Sequence, residues 1–447
     1  MPAFDAMPVV HPRAAGIDIG SRSHFVAVPD DHPTEGAVRE FGAYTPDLCA
    51  LADWLHARGV TTVALEATGV YWIPLFHLLE ERGFAVIVVN PRTAKHVPGR
   101  KTDVLDCQWL RKLHTFGLLE ASFRLPLDLE SLRACWRQRT TLVRLAADDI
   151  RRVQKALDQM NLHLHHAVSD ITGVSGLTIL RAIAQGETDP TQLAAHAETR
   201  LKCSREDLIK ALTGQYRPEH VFAMRQALER YDFYATQLAA CEAEVETLLQ
   251  ALAPARSQAP VASEASRPRR RQPKSKGEPA FDLQDDLTRL YGVDLTAIQG
   301  LGSLHLMTIL SEVGTDLTKW PSEKHFASWL GLAPNHKITG GKILGRQTRH
   351  VVNRGAEALR MAAFSLSHSH SALGAYYRRM KAQLGAPKAI TAVAHKLAVL
   401  VYRLVTQGRE YVDIGQAACE HRYEDRRRKA LQKQAATLGF DLVPRTT

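Results

Sequence analysis

From residue 132 to 164 the apolar side chains Leu132, Trp136, Val143, Ala146, Ile150, Val153, Leu157, Met160 and Leu164 recur in steps of four and three, and only Arg139 breaks the apolar register. A strand, with its period of two, cannot bring such positions to one side, so the spacing predicts a long helix with a seam seeking a partner. Val221, Met224, Leu228, Tyr231, Leu238, Cys241, Val245, Leu248 and Leu252 repeat the pattern. Two such helices can pair within one chain or between chains, and a homo-oligomer, dimer or tetramer, is expected from them.

Upstream the periodicity is different. Residues 14–28 read as a short apolar run, a turn at Gly20-Ser21-Arg22 and a second run, the pattern of a β-hairpin, with a third strand near Phe41–Tyr44. Helical patterns at 46–59 and 70–83 then alternate with apolar strands at 60–68 and 84–90. An antiparallel opening followed by strand–helix alternation predicts a mixed sheet with helices against it, so the fold class is α/β followed by all-α. At about 150 residues per domain the 447 residues suggest three. The boundaries expected are 14–125 for the α/β domain, 126–253 for a helical coiled-coil region, 254–280 for a linker, 281–415 for a helical C-terminal domain and 416–447 for a charged, helical tail. The linker is rich in Pro, Ser and Arg and too poor in apolar side chains to offset the entropy of folding.

Net charge is +10, with 57 Lys and Arg against 47 Asp and Glu, and this favours a polyanionic partner, nucleic acid first. The six cysteines are scattered without CxxC or zinc spacing, which excludes a disulfide scaffold and a metal ribbon and suits a reducing cytoplasm. No apolar run of roughly 18 residues is evident, so neither a bilayer span nor a membrane partner is expected.

Two acids stand where acids are costly. Asp18 lies in the apolar run of the first strand, and Glu66 follows Val63-Ala64-Leu65. Asp103 and Asp106, three apart at the start of a helix, project from one face. Four convergent carboxylates are hard oxygen ligands suited to Mg²⁺, with Mn²⁺ as a substitute, and a pair of such ions serves phosphodiester chemistry. The bland alternative makes Asp103 and Glu66 helix caps. Arg100 and Lys101 beside the acids would track a phosphate backbone. The segments 171–183 and 298–310 share glycine turns before apolar helices, in the manner of helix-hairpin-helix elements, and His163, His165 and His166 suggest a metal site but read more readily as exposed residues at a helix end.

Taken together, GIDIG around Asp18, ALEATG around Glu66, KTDxxDCQWLRKL around Asp103 and Asp106, and a later GLAPxxxxxGGK resemble the DEDD transposases of the insertion sequence 110 family, in particular its insertion sequence 1111 branch. The resemblance implies an RNase H-like, resolvase-like N-terminal domain, a coiled-coil middle and a C-terminal transposase domain. It implies a multimer acting on donor and target DNA under the direction of a bridge (guide) RNA, in a bacterial, nucleoid-associated setting. It also implies a hydroxyl nucleophile in the C-terminal domain, a serine in the family. No serine occurs from 329 to 364, and Thr339 precedes Gly340-Gly341-Lys342. Threonine keeps the hydroxyl while its β-methyl restricts χ1. Lys342, Arg346, Arg349 and Arg354 are then available to neutralise phosphate, and Gly340 and Gly341 permit close backbone approach. Three rivals remain. A junction-resolvase-like endonuclease would form no covalent intermediate. An actin-like or sugar-kinase ATPase would share the opening hairpin but lacks its later glycine-rich segments. In a non-catalytic nucleic-acid-binding protein the acids would only cap helices.

Overall fold

The computed structural model describes residues 7–30, 36–91, 102–198, 203–252, 277–340, 342–349, 351–408, 415–441 and 443. The chain divides into two compact units, Met1–Arg124 and Leu125–Thr447.

The first unit is a five-stranded sheet of order β3-β2-β1-β4-β5, formed by β1 (Ala14–Ile19), β2 (Ser23–Ala27), β3 (Val38–Gly42), β4 (Thr62–Glu66) and β5 (Ala85–Val89). β1, β2 and β3 are antiparallel neighbours, while β1, β4 and β5 run parallel. The mixed sheet read from the sequence is therefore present. The third strand starts three residues earlier than expected, because Ala27↔Val38 to Ser23↔Gly42 is the pairing β2 offers and the next helix begins at Thr45. Helices α1 (Thr45–Ala57) and α2 (Trp72–Glu81) cover one face, packing Leu51, Leu55, Leu75 and Leu79 against Ala15, Ile17, Val63 and Leu65. Helix α3 (Asp103–Thr115) covers the other.

In the second unit the long helices α4 (Leu127–Gln159) and α9 (Pro218–Ala251) lie side by side within the chain. Their pairing is antiparallel: Cys241 Sγ meets Cys135 O at 3.4 Å, Arg139 meets Glu242 at 2.7 Å, and Asp149 meets Arg230 at 2.7 Å, so one number rises as the other falls. The seam is not the apolar ladder predicted. Arg139 is buried on it, and between there and Val153 the buried positions are Leu142 and Asp149 rather than Val143 and Ile150. A helix of 3.6 residues per turn drifts against a strict heptad, and here the drift is absorbed by ion pairs that satisfy the polar groups.

Four short helices, α5 (Leu164–Ala167), α6 (Val174–Ala184), α7 (Pro190–Ala195) and α8 (Arg205–Leu212), close one end of this pair around Leu157, Met160, Leu162, Ile179, Leu212 and Met224. Near the other end, α10 (Leu283–Tyr291) sends the Arg289 guanidinium to Leu249 O and Leu252 O, capping the last turn of α9. Helix α11 (Ser303–Val313) docks on α4 through Arg137, whose fork grips Glu312 at 2.9 and 2.7 Å, and through Trp136 Nε1, which donates to Thr308 Oγ1. Then follow α12 (Glu323–Trp329), the hairpin β6 (Pro334–Thr339) and β7 (Lys342–Thr348), α13 (Arg354–Ser365), α14 (Ala372–Leu384), α15 (Ala386–Gln407) and α16 (Gly415–Thr437). Helix α15 is long and apolar enough to cross a membrane, contrary to the sequence reading. It instead forms the middle of this helical cluster, with Val393, Leu397 and Val401 buried against its neighbours and Tyr402 Oη donating to Trp320 O at 2.7 Å. Helix α16 has no buried residue, as a charged tail requires. Most of the expected linker, 254–276, lies outside the described residues.

Candidate functional site

The parallel register decides where the first two acids go. Gly16 of β1 stands opposite Ala64 of β4, and Ile17 opposite Leu65, so continuing the register by one sets Asp18 against Glu66. Neighbouring strands lie about 4.8 Å apart and alternate residues share a face. Asp18 and Glu66 thus occupy the C-terminal ends of adjacent strands on the side that carries Gly16, Thr62 and Ala64. Helix α3 lies on that same side.

Its seating runs down the sheet in steps. His114 Nε2 and Thr62 Oγ1 are hydrogen-bonded at 2.9 Å, and Leu110 packs with Ala64 and Val89. At Gly16 the helix backbone comes so close that a Cβ would stand 2.3 Å from Arg111 N and 2.6 Å from Cys107 O. Only glycine allows this approach. Two residues further along β1, and one turn nearer the helix start, Asp18 reaches the level of Cys107 and Asp106. The thiol of Cys107 registers both: burial first, then the negative charge of Asp18 and, more weakly, of Asp106, push it up to about 12. Its Sγ donates to Val104 O at 3.1 Å.

The capping alternative fails for both acids. The cap of α3 is Thr102, whose Oγ1 accepts from Leu105 N, and the cap of α2 is Tyr71. Asp103 and Asp106 sit in the first turn of α3, where the helix dipole favours carboxylates. Asp18, Glu66 and Asp106 are half-buried and Asp103 is exposed. Among the described residues the acids are nevertheless not drawn into a group of three at ligand spacing, and the group that is consists of His163, His165 and His166. The donor set fits a divalent ion in chemistry, since all four carboxylates are hard oxygen ligands, while closure around an ion would require the side chains to move inward.

Thr339 belongs to the second unit. It is the exposed last residue of β6 and pairs with Lys342 across a turn whose first residue, Gly340, has φ +53°. Lys342 is exposed. Arg349 is engaged instead in holding the hairpin exit, its Nη2 donating to Ser328 O at 2.7 Å. Arg354 is the exposed first residue of α13, which Asn353 caps through its side-chain oxygen to Ala356 N. Gly341, Arg100 and Lys101, and the side chain of Arg346, lie outside the described residues. The sequence reading passed over four residues that build the site: Gly16, Cys107 and the Thr62–His114 pair. A glycine two positions before Asp18 in GIDIG was the available signal for the first.

A family model for DEDD-type IS110 transposases, described as "Transposase", matches residues 15–162, and one described as "Transposase IS116/IS110/IS902 family" matches residues 294–378. Together they span just over half of the chain. A relative from Streptomyces coelicolor, "Insertion element IS110 uncharacterized 43.6 kDa protein", is 34% identical over 90 residues, 20% of this chain and 22% of the relative's own length.

Proposed function

We propose, for a chain that belongs to the IS110 family of transposases, that it cuts and rejoins DNA strands, with Asp18, Glu66, Asp103 and Asp106 as divalent-metal ligands and Thr339 as the hydroxyl that attacks phosphorus. The observation that carries this reading is the register that sets Asp18 beside Glu66 on the face where the first turn of α3 begins. Mg²⁺, when bound there, would polarise the phosphodiester and stabilise the leaving oxygen, and Mn²⁺ would substitute. The work of this chain's own residues is positional. Gly16 lets α3 lie against β1, Thr102 caps that helix in place of Asp103, and the Thr62–His114 bond fixes its far end.

Thr339 on its exposed hairpin would be presented to the scissile phosphate, with Lys342 and Arg354 on the same segment to neutralise charge. Donor and target DNA are the substrates, and a bridge RNA supplies the choice of site. The acids of one subunit meet the Thr339 of another in a dimer or tetramer. The exposed basic helix α16, with Arg422, Arg426, Arg427 and Arg428, suits a phosphate backbone in a bacterial nucleoid. The insertion sequence 1111 branch is the favoured placement. The presence of threonine where the family uses serine favours one second reading, a resolvase-like endonuclease that uses water and forms no protein–DNA bond.

Asp18→Asn tests the proposal. Cleavage is abolished while DNA binding persists, because phosphate contacts carry affinity. Cleavage at the wild-type rate in this variant would overturn the metal site, and absence of a covalent adduct on a denaturing gel of wild-type protein with DNA would favour the resolvase reading.

A further inference from the structure

The segment Leu162-His163-Leu164-His165-His166 leaves the end of α4 and enters α5. Its imidazoles form a compact group, with all ligand atoms within 4.8 Å of one another. His163 and His166 stack at 5.3 Å between centroids and 7° between planes, and His165 meets His166 at 4.2 Å. The exposure expected of them holds for His166 alone, since His163 and His165 are half-buried.

We propose that His163, His165 and His166 form a binding site for Zn²⁺ or a neighbouring borderline first-row divalent cation, separate in chemistry from the acid rim. Imidazole nitrogen is a borderline donor that suits Zn²⁺, Cu²⁺ and Ni²⁺, whereas Mg²⁺ requires oxygen. Tetrahedral coordination with Zn–N bonds of about 2.0–2.1 Å sets ligand nitrogens about 3.4 Å apart. From separations of up to 4.8 Å the rings must close by no more than about 1.4 Å, a displacement within reach of side-chain rotation.

The backbone beneath is fixed. Leu162 and Leu164, on either side of His163, are fully buried and anchor the segment. His163 N donates to Ala211 O and Gln215 N to Met160 O, both at 2.8 Å, and Asn161 holds the turn at φ +57°. This separates the segment from a flexible histidine run, in which three rings must be ordered at the moment of binding.

Two further contacts favour an ion. His163 Nε2 lies 3.1 Å from Asn161 Oδ1, and with the hydrogen on Nε2 the Nδ1 lone pair is left for a metal, the arrangement by which a side-chain acceptor orients a histidine ligand. His165 Nδ1 is buried and has no hydrogen-bond partner among the described residues. An acid, Asp158 near the end of α4, stands 3.9 Å away, too far for that bond and near enough to supply a fourth ligand. An ion here would tie the last turn of α4 to the helices that close this end of the pair.

The test uses the full chain, stripped with a chelator and titrated with Zn²⁺ against a chromophoric competitor in millimolar Mg²⁺. The expected result is one tight equivalent, a rise in melting temperature on adding Zn²⁺, and at least a tenfold loss of affinity in His163→Ala and in His166→Gln. The latter keeps a polar side chain at an exposed position and so keeps the fold. Asp18→Asn leaves the Zn²⁺ affinity unchanged. Equal affinity in wild type and both histidine variants, or wild-type affinity no greater than that of a free peptide bearing the same five residues, an adventitious ion only, would overturn the proposal.

Discussion

Replacing Gly16 by alanine is the sharpest test of how the acid rim is assembled. The new Cβ would lie 2.3 Å from Arg111 N, 2.6 Å from Cys107 O and 2.8 Å from Arg111 Cα, all backbone atoms, so no rotamer change relieves the clash. Ordinary contact begins near 3.4 Å, and α3 must therefore withdraw from β1 by about 1.1 Å. Overpacking of this kind typically destabilises by about 1–3 kcal/mol. The same withdrawal carries Asp103 and Asp106 away from Asp18 and Glu66, and a misplacement of about 1 Å lowers rate by about 10²-fold. Circular dichroism should report a lower melting temperature for the variant, and a DNA cleavage assay, run well below that temperature, a loss of about two orders of magnitude. Gly36→Ala is the control, since its Cβ would find no atom closer than 4.0 Å and both readouts should be unchanged. Unshifted melting with full cleavage in Gly16→Ala would refute the close seating of α3 and the dependence of the acids on it.

Three further outcomes are expected. Burial, helped by the nearby His11, lowers the His114 imidazole to about 4, so below pH 6.5 the unfolded chain takes up the proton first; stability should fall by roughly 3 kcal/mol between pH 6.5 and 4, and urea titrations of His114→Gln should have a flatter pH dependence. Arg139→Met strands Glu242 on the α4–α9 seam and should destabilise by about 2–4 kcal/mol, whereas Arg139→Met with Glu242→Leu should return to within about 1 kcal/mol of wild type in urea denaturation; equal losses in both would refute the pairing as the cause. Thr339→Val, at an exposed hairpin position, should leave folding intact and abolish any covalent DNA adduct, while Thr339→Ser retains it; an adduct with valine would exclude Thr339 as the nucleophile.

Sequence made the first unit legible because its strands are short apolar runs bounded by glycine turns, and local periodicity suffices for these. It located Asp18 and Glu66 by their incongruity in such runs. It left their mutual placement open, since strand order and register are tertiary facts: nothing in GIDIG or ALEATG states that β1 and β4 are neighbours. The seam of α4 was legible as a helix and misread in detail, because Arg139 and Asp149 are stabilised on it by Glu242 and Arg230, 103 and 81 residues away respectively. The apolar stretch in α15 went unrecognised as long enough to span a bilayer, its charges at Lys388, Lys396 and Arg403 interrupting the run without ending the helix. The histidine triplet looked exposed because the burial of Leu162 and Leu164, which steers the rings together, depends on α8 and α9.

The pairing of Asp18 with Glu66 has a consequence for how such a chain can change over generations. Their separation is set by main-chain ladder geometry and not by the fit of neighbouring side chains, so it is quantised: substitutions in the interior can loosen or tighten the sheet without altering which carboxylate faces which. A single inserted or deleted residue within either strand, by contrast, would turn one acid to the opposite surface in one step. Lineages descended from this protein should therefore drift freely in hydrophobic identity along β1 and β4 while tolerating no change in their length.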